Sequence, residues 1–357
     1  MEVTMKISII SFTSNGVDLS LKIKELADRE QEVALYTKAS VTKQKLTSQI
    51  HKVEEGVSAW TKEHFKEQEA LVFIGACGIA VRAVSPYVKD KLSDPPVLVI
   101  EEGGSFVIPI LSGHYGGANE LARSLADKLG ATAVITTATD VNKLFAVDVF
   151  AKKNNLHICN REGIEKVSAA VLNKEKVTIA ISGEVKGVIP KELTMTDYPV
   201  RNKVSILISP FEVDRQKADL QLCPKAYVIG IGCRRNKSYT ELETAVKRQI
   251  EWMGVRWESI MAFASIDRKK DEEGLIRLAN HYNLPFLTFT EEKLKAVPGE
   301  FTSSAFVAEQ VGVDNVCERS AIVACGENGK LIVKKWAENG ITVAIAERKW
   351  EVTFDET

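Results

Sequence analysis

The chain has 357 residues, of which 45% are hydrophobic and 27% charged, a composition typical of folded proteins that excludes a largely disordered chain. At roughly 150 residues per domain, this length predicts two or three domains. The 47 Lys and Arg residues nearly balance the 48 Asp and Glu residues, for a formal net charge of -1. This balance argues against a nucleic-acid-binding protein and against a polybasic protein of the membrane surface.

The cysteine pattern predicts a reducing environment. The six cysteines form no CxxC pair, and a chain of this length needs no disulfide framework, so we expect free thiols in a cytoplasmic protein. The first residues show no signal-peptide layout. The longest apolar run, 70–81, is broken by two glycines and is too short to span a bilayer.

Strand and helix signals alternate in the first part of the chain. The most regular helix signal covers 118–129, where apolar residues recur at i, i+3, i+4 and i+7 and Gly130 marks the end. The other predicted helices are 17–29 and 57–68, and the predicted strands are 6–12, 33–36, 70–74, 97–100, 106–110 and 133–136. This alternation is typical of α/β layers around a largely parallel sheet.

The middle of the chain is less regular, and a fresh α/β pattern begins near residue 225. Helices are predicted at 141–153, 163–172, 239–253, 272–282, 304–311 and 317–324, and strands at 177–181, 185–189, 227–231, 260–265, 286–289, 330–334 and 342–346. Residues 215–222 are interpreted as a linker or surface segment. We predict a multi-domain α/β fold of largely parallel sheets flanked by helices, with domains at 1–140, 141–224 and 225–357, the last a separate C-terminal α/β domain.

Standard catalytic motifs are missing from the sequence. It contains no GxxxxGK[ST], no complete GxGxxG, no HExxH and no GxSxG. Its five histidines are scattered, which argues against a metal site built by the protein.

The densest functional signal is the loop that leads from the strand at 106–110 into the helix at 118–129. Glycines allow a close backbone approach, the helix start offers free N–H groups, and a histidine can move protons near neutral pH. The candidate residues are Ser112, Gly113, His114, Gly116, Gly117 and Asn119. The alternative is a plain helix entry whose polar residues occupy the first turn.

Other candidates follow other predicted strands. Arg82 follows the glycine-containing segment 75–78 and could meet an anion, or could lie exposed on a turn. Glu101 could act as a base or orient His114, whereas its neighbour Glu102 is expected to be solvated. Thr136, Thr137 and Asp140 could contact a ligand, although an N-cap role for the aspartate is equally open.

Two basic clusters follow strands of the C-terminal region, at 233–237 and 265–270. Because strand ends face the ligand crevice in open α/β sheets, these clusters would suit a substrate with several carboxylates. The alternative is that they are charged surface loops.

Taken together, the motifs resemble those of the CbiG family, the cobalt-precorrin-5A hydrolases of anaerobic cobalamin biosynthesis. The resemblance extends from about residue 6 to 347 and is weakest in the middle. It rests on the segments GIAVR at 78–82, DK at 90–91, DPPV at 94–97, LSGHYGGANELA at 111–122, TTATD at 136–140, GIGCR at 230–234, ASID at 264–267 with Lys269 and Glu272, VGV at 311–313, VCE at 316–318 and TVAIA at 342–346.

The resemblance implies a hydrolase acting on a carbon–carbon bond. Its substrate would be a cobalt-bound, ring-contracted tetrapyrrole whose δ-lactone is opened by water, with release of acetaldehyde to give cobalt-precorrin-5B. Cobalt would arrive inside the substrate, so no cofactor and no metal site are expected. For this reaction we expect His114 and Glu101 to be the catalytic residues. The expected substrate-binding residues are Arg82, Ser112, Gly113, Gly116, Gly117, Asn119, Thr136, Thr137, Asp140, Cys233, Arg234, Ser265, Asp267, Lys269 and Glu272.

A non-catalytic corrinoid carrier of the same pathway is the alternative function, and an anion- or nucleotide-binding α/β protein is a weaker one. The intact loop at 112–119 favours the enzyme, because a pure carrier would not need it. The expected partner is a small corrinoid, with no nucleic acid and no membrane. Transient contacts with other enzymes of the pathway and a homodimer are left open.

Overall fold

The computed structural model describes residues 5–40, 49–67, 69–302 and 313–354. Within these ranges the chain forms two compact units, 1–149 and 150–357. The helix predicted at 304–311 lies outside the described residues. No helix of the described chain is long and apolar enough to cross a membrane.

The first unit alternates strands and helices, as the sequence predicts. Its strands are β1 (Met5–Ser11), β2 (Gln31–Thr37), β3 (Ile50–Lys52), β4 (Ala70–Ile74), β5 (Val97–Ile100), β6 (Phe106–Leu111) and β7 (Thr132–Ala133). Its helices are α1 (Ser14–Glu25), α2 (Val57–Lys66), α3 (Cys77–Val84), α4 (Ala118–Leu129), α5 (Ala138–Val141) and α6 (Val147–Lys153), which continues into the second unit.

The seven described strands form one sheet in the order β3-β2-β1-β4-β5-β6-β7. Strands β1 to β5 are parallel, but β6 runs antiparallel to β5, so that Leu111 at the end of β6 lies opposite Val97 at the start of β5. The loop that follows β6 therefore lies at the edge where β5 begins, opposite the edge where β4 and β5 end. This reversal decides which predicted site residues can meet.

Burial on both faces explains the apolar runs of the central strands. Val72 of β4 belongs to one apolar cluster, whereas Phe73 belongs to a second cluster with Trp60 of α2. Helix α4 packs Leu121 and Leu125 into the first cluster, as its periodicity predicts. Gly130 ends α4 in the left-handed conformation, with φ of 70°.

The second unit contains two larger sheets. Its strands are β8 (Leu156–Ile158), β9 (Val177–Ile181), β10 (Glu184–Gly187), β11 (Leu193–Met195), β12 (Val204–Ile208), β13 (Ala218–Pro224), β14 (Tyr227–Cys233), β15 (Ile260–Ile266), β16 (Phe286–Phe289), β17 (Lys330–Glu338), β18 (Ile341–Glu347) and β19 (Glu351–Phe354). Its helices are α7 (Glu162–Leu172), α8 (Tyr239–Met253), α9 (Glu273–His281), α10 (Glu291–Lys295) and α11 (Cys317–Cys325).

The central sheet has the order β11-β9-β12-β13-β8 and the C-terminal sheet the order β16-β15-β14-β18-β17. The central sheet is parallel except that β8 pairs antiparallel with β13. In the C-terminal sheet, β18 pairs antiparallel with both β14 and β17. A parallel pair between β10 and β19 links the last strand of the chain to the central region. The α/β class with largely parallel, helix-flanked sheets and a C-terminal α/β sheet is confirmed.

The interpretation of residues 215–222 as a linker or surface segment is wrong. Most of this segment belongs to β13, which pairs with both β12 and β8. Leu220 and Leu222 are fully buried. Gln221 is also buried, and its side-chain amide donates to the backbone carbonyl of Asp214. The polar residues of this segment suggested a surface position, but it is a central strand whose polar groups form hydrogen bonds inside the fold.

Candidate functional site

The loop between β6 and α4 is held in shape by its own backbone. Ser112 adopts a positive φ of 55°, and its hydroxyl donates to the carbonyl of Asp94 at 2.8 Å. The N–H groups of Ala118 and Asn119 donate to the carbonyls of Ser112 and Gly113 at 3.1 and 3.0 Å. A Cβ atom on Gly116 would lie 2.3 Å from the Cβ of Ser112, so this position accepts only glycine without rearrangement.

The His114 side chain lies between two carboxylates. Its Nε2 atom is 2.5 Å from Oδ2 of Asp140, and its Nδ1 atom is 3.5 Å from Oδ2 of Asp148. The Thr139 hydroxyl also lies 3.0 Å from Nε2. The short contact at Nε2 favours a proton on that nitrogen and leaves Nδ1 as the basic atom of the neutral ring.

Asp140 connects the loop, helix α4 and helix α5. Its Oδ2 atom accepts from the side-chain amide of Asn119 at 2.9 Å as well as from His114, and its Oδ1 atom accepts from Arg123 at 2.5 Å. The same Asn119 amide reaches the Thr137 hydroxyl at 3.1 Å. Because Asn119 is buried, these bonds satisfy a polar group that would otherwise destabilise the start of the helix.

The charges of the cluster shift its pKa values in a consistent way. The hydrogen bond and charge of Asp148, followed by those of Asp140, raise the pKa of His114 above its ordinary value, although burial opposes the shift. Burial would raise the pKa of Asp140, but hydrogen bonds from Arg123 and His114 lower it overall. Burial would likewise raise the pKa of Asp148, but His114 lowers it. The imidazole is therefore a stronger base than a free histidine.

Glu101 is placed away from this cluster, and Arg82 bonds within its own helix. Glu101 follows β5 at the opposite edge of the sheet, where its carboxylate accepts from the backbone N–H groups of Gly103 at 2.6 Å and of Ser105. Arg82 is exposed on α3 and donates to the carbonyl of Gly78 at 3.0 Å. The structure thus does not bring Glu101 to the imidazole, because β6 runs antiparallel to β5.

The two glycines at the start of α4 differ in their hydrogen bonding. The Gly117 N–H donates to the carbonyl of His114 at 2.9 Å, and Gly117 has φ of 92°. Within the described chain no acceptor is bonded to the Gly116 N–H. Of the pair, Gly116 is therefore the candidate donor to a ligand.

The threonines of the segment TTATD have different roles. Thr136 is exposed, whereas Thr137 precedes α5 and accepts from Asn119. Thr139 is buried and faces the imidazole of His114. Asp148 was missed from the sequence, because only the fold brings it to the loop. Thr139 belongs to the segment TTATD but is not among the expected site residues.

In the second unit, three predicted residues surround the end of β14. Burial raises the pKa of Cys233 to about 11, which keeps this thiol protonated. Ser265 is fully buried and donates to the carbonyl of Ile231 at 2.7 Å, so it joins β15 to β14. Arg234 is exposed, and its backbone N–H donates to the carbonyl of Gly340 at 2.9 Å.

The other three surround the short 3₁₀ turn before α9. Asp267 begins that turn, and its carbonyl accepts from the backbone N–H of Lys270 at 3.1 Å. Lys269 pairs with Glu272 at 2.8 Å, and the same carboxylate accepts from the backbone N–H of Asn236 at 2.5 Å. Of the acidic residues at 271–273, Glu272 is therefore the one that joins the two basic loops.

A polar cavity of about 620 Å³ opens beside these loops. Glu272 is the predicted site residue that lines it, and the arginine and lysine side chains around it come from α9 and from both basic loops. The cationic residues of the lining are Arg235, Lys237, Arg268 and Arg277.

One group of described side chains has the composition of a cation site. Ligand atoms of His64, Glu67 and Glu69 lie within 4.8 Å of one another. Glu69 is buried and already accepts from the Ser8 hydroxyl, and its Oε2 atom lies 3.1 Å from Nδ1 of His64. The Glu69 carboxylate therefore has protein partners of its own.

These observations define a multi-domain α/β protein with a glycine-rich loop and a histidine set between two aspartates. Sequence comparison extends this description. The family models "Cobalamin synthesis G N-terminal", "Cobalamin biosynthesis central region" and "Cobalamin synthesis G C-terminus" match residues 59–140, 145–224 and 227–346.

Two curated relatives have the same printed name, cobalt-precorrin-5A hydrolase. The one from Salmonella typhimurium is 36% identical over 81% of this chain and 85% of its own length. The one from Priestia megaterium is 28% identical over 95% of this chain and 94% of its own length. The crystal structure of a putative cobalamin biosynthesis protein G homolog from Sulfolobus solfataricus covers 97% of this chain and 98% of its own, at 26% identity and a TM-score of 0.40.

The chain belongs to the CbiG family of cobalamin biosynthesis proteins.

Proposed function

We propose that this chain is a cobalt-precorrin-5A hydrolase, which opens the δ-lactone of cobalt-precorrin-5A and releases acetaldehyde. The observation that carries the proposal is the 36% identity to the Salmonella typhimurium hydrolase over 81% of this chain. The loop at 112–119 and its charged partners supply the groups that such a reaction needs. A pure corrinoid carrier would need none of them.

His114 is the proton carrier of this proposal. Its Nε2 atom is held by Asp140, and the neutral Nδ1 atom can take a proton from the water that attacks the lactone carbonyl. The imidazolium that forms is stabilised by both aspartates, and it can return the proton to the lactone oxygen as that bond breaks. Asp140 and Asp148 are positioning residues, and they take the orienting role first expected of Glu101.

The Gly116 N–H is the donor proposed for the oxyanion of the tetrahedral intermediate. It lies two residues before α4, where the helix dipole also favours negative charge. Once the lactone is open, the freed hydroxyl must lose its proton as the carbon–carbon bond breaks, and the macrocycle accepts the electron pair. Neutral His114 is the base nearest this loop for that second proton.

The substrate carries several carboxylates, which require cationic partners. Arg82 and Arg234 have exposed side chains and remain candidates in this proposal. Lys269 is a weaker candidate because it already pairs with Glu272. We expect the protein to act in the cytoplasm, because all six cysteines are free thiols.

The test is acetaldehyde release. Purified protein is mixed anaerobically with cobalt-precorrin-5A, and aldehyde and corrinoid mass are followed together. One acetaldehyde per corrinoid, with the matching mass loss, supports the hydrolase. Tight corrinoid binding without aldehyde above a no-protein control would instead establish the carrier function.

A further inference from the structure

A second charged cluster lies in the other unit, around a buried arginine. Arg256 is only 2% exposed, and its Nε atom donates to the carbonyl of Phe211 at 3.1 Å. Its Nη1 atom points at the sulfur of Cys159, 3.4 Å away. Its backbone is fixed as well, because its N–H donates to the carbonyl of Pro210 at 2.8 Å. The guanidinium is therefore held against the thiol.

A guanidinium buried in this way needs a counter-charge. Within the described chain no carboxylate oxygen lies within 4.0 Å of the Arg256 nitrogens. The nearby Glu212 is already paired with Arg215, whose guanidinium donates to both of its carboxylate oxygens. A Cys159 thiolate supplies the negative charge at contact distance, and a neutral thiol does not.

Cys223 lies beside Cys159 on the neighbouring strand. Strands β8 and β13 are antiparallel, with His157 opposite Cys223, and the backbone N–H of Cys159 donates to the carbonyl of Gln221. The two cysteines are thus diagonal neighbours across the pair, on the same face of the sheet. Cys223 is fully buried, whereas Cys159 is partly exposed.

The pKa values of the two thiols shift in opposite directions. The hydrogen bond from Cys223 and the charge of Arg256 lower the pKa of Cys159, against the effects of burial and of Glu258. The same hydrogen bond, with burial, raises the pKa of Cys223 far above its ordinary value. Arg215 and Lys225 are the other charged groups that face the pair. One thiol is therefore set to ionise and the other to remain protonated.

We propose that Cys159 is an arginine-stabilised thiolate and a site of covalent modification, which peroxides convert into a disulfide with Cys223. The Cys159 sulfur attacks one oxygen of hydrogen peroxide, the O–O bond breaks, and with one proton a sulfenic acid and water result. The Cys223 sulfur then attacks the Cys159 sulfur, the S–O bond breaks, and the Cys223 proton leaves with the hydroxide as water. The two sulfurs lose two electrons in total, and the peroxide accepts them.

The first test measures alkylation of the full chain by iodoacetamide at about pH 6.5, with each cysteine resolved by peptide mass spectrometry. Cys77 is the control because it is an exposed thiol. We expect Cys159 to react about tenfold faster than Cys77, despite its lower exposure, because the thiolate is the nucleophile. Equal or slower alkylation of Cys159 would overturn the proposal.

The Arg256→Gln and Arg256→Lys variants test the cause. Arg256→Gln should reduce the alkylation rate of Cys159 to that of Cys77. Arg256→Lys should keep Cys159 partly faster than Cys77, because lysine keeps the positive charge. Circular dichroism and the denaturation midpoint establish that each variant is folded. If the glutamine variant folds and Cys159 keeps its full rate, the arginine is not the cause and the proposal fails.

Peroxide treatment tests the pairing of Cys159 with Cys223 without replacing the buried Arg256. Wild-type protein should give a Cys159–Cys223 disulfide. Cys223→Ser should stop at a Cys159 sulfenic acid that dimedone traps, and Cys159→Ser should leave Cys223 reduced. Oxidation of Cys223 in the Cys159→Ser variant, or an intact Cys159 thiol in treated wild type, would contradict the proposal. These outcomes do not depend on hydrolase activity.

Discussion

The Nε2 atom of His114 and the Oδ2 atom of Asp140 lie 2.5 Å apart, although the two residues belong to separate segments, one before α4 and the other in α5. Because Asp140 also binds Arg123 and Asn119, the histidine is attached to a fixed network and not to a free surface carboxylate. This contact joins two sequence motifs into one site.

Replacing His114 with Ala should lower turnover of cobalt-precorrin-5A by a factor of about 10² to 10⁴, the range typical of lost acid–base catalysis. Acetaldehyde release under saturating substrate is the measurement. His51→Ala is the matched control, because this histidine is exposed on β3. Near-wild-type turnover in the His114 variant would remove this residue from the mechanism.

Asp148→Asn should shift the pH profile of kcat/KM. In the proposed mechanism neutral His114 is the active form, so kcat/KM rises with pH through the raised pKa of His114. Asp148 is the first cause of the raised pKa of His114. Removing its charge should therefore shift the increase of kcat/KM to lower pH and also reduce kcat. The histidine pKa can be followed in parallel by NMR. An unchanged pH dependence of kcat/KM would mean that Asp148 does not act through His114.

The cluster should also make stability depend on pH. The folded pKa of His114 is raised above 6.5, so its contribution is fully present below pH 6.5 and is lost as pH rises through the folded value. The pKa values of Asp140 and Asp148 are lowered below 3.8, so their contributions are present above pH 3.8 and are lost as pH falls through the folded values. In denaturant titrations, the difference in stability between wild type and His114→Ala should therefore narrow as pH rises through the folded pKa of His114. A constant gap between the two proteins would contradict this linkage.

Gly116→Ala should disrupt the loop, because the new Cβ would meet the backbone oxygen of Ser112 at 2.7 Å as well as its Cβ. We expect a loss of stability of about 1–3 kcal/mol, the usual cost of overpacking, together with a marked loss of turnover. Gly56→Ala is the control, since nothing lies within 4 Å of its Cβ position. If both variants unfold at the same denaturant concentration, the close approach at Gly116 is not a constraint.

Glu101→Gln should leave turnover near the wild-type value. The carboxylate binds the turn at Gly103 and Ser105 at the opposite edge of the sheet, so its loss affects that turn and not the imidazole. Acetaldehyde release is again the measurement. A drop in kcat as large as that of His114→Ala would restore Glu101 to the catalytic site.

Local sequence pattern determined much of this protein. Three features could be predicted from contiguous residues alone. They are the apolar runs of β4 and β5, the periodicity of α4 with Gly130 at its end, and the glycine-rich loop before α4. The motifs carried the family resemblance as well, because they are contiguous segments. For the same reason the buried strand β13 was missed, since it is defined by its pairing with β12 and β8 and not by its own residue pattern.

Only the tertiary structure decided how the motifs combine. Whether Glu101 or Asp140 meets His114 depends on the direction of β6, and strand direction is set by pairing across the whole sheet. The approach of Asp148 to the imidazole, and of Arg256 to Cys159, likewise follows from packing between elements far apart in sequence. Such contacts leave no periodic signal, because each needs a single side chain at one place in the assembled fold.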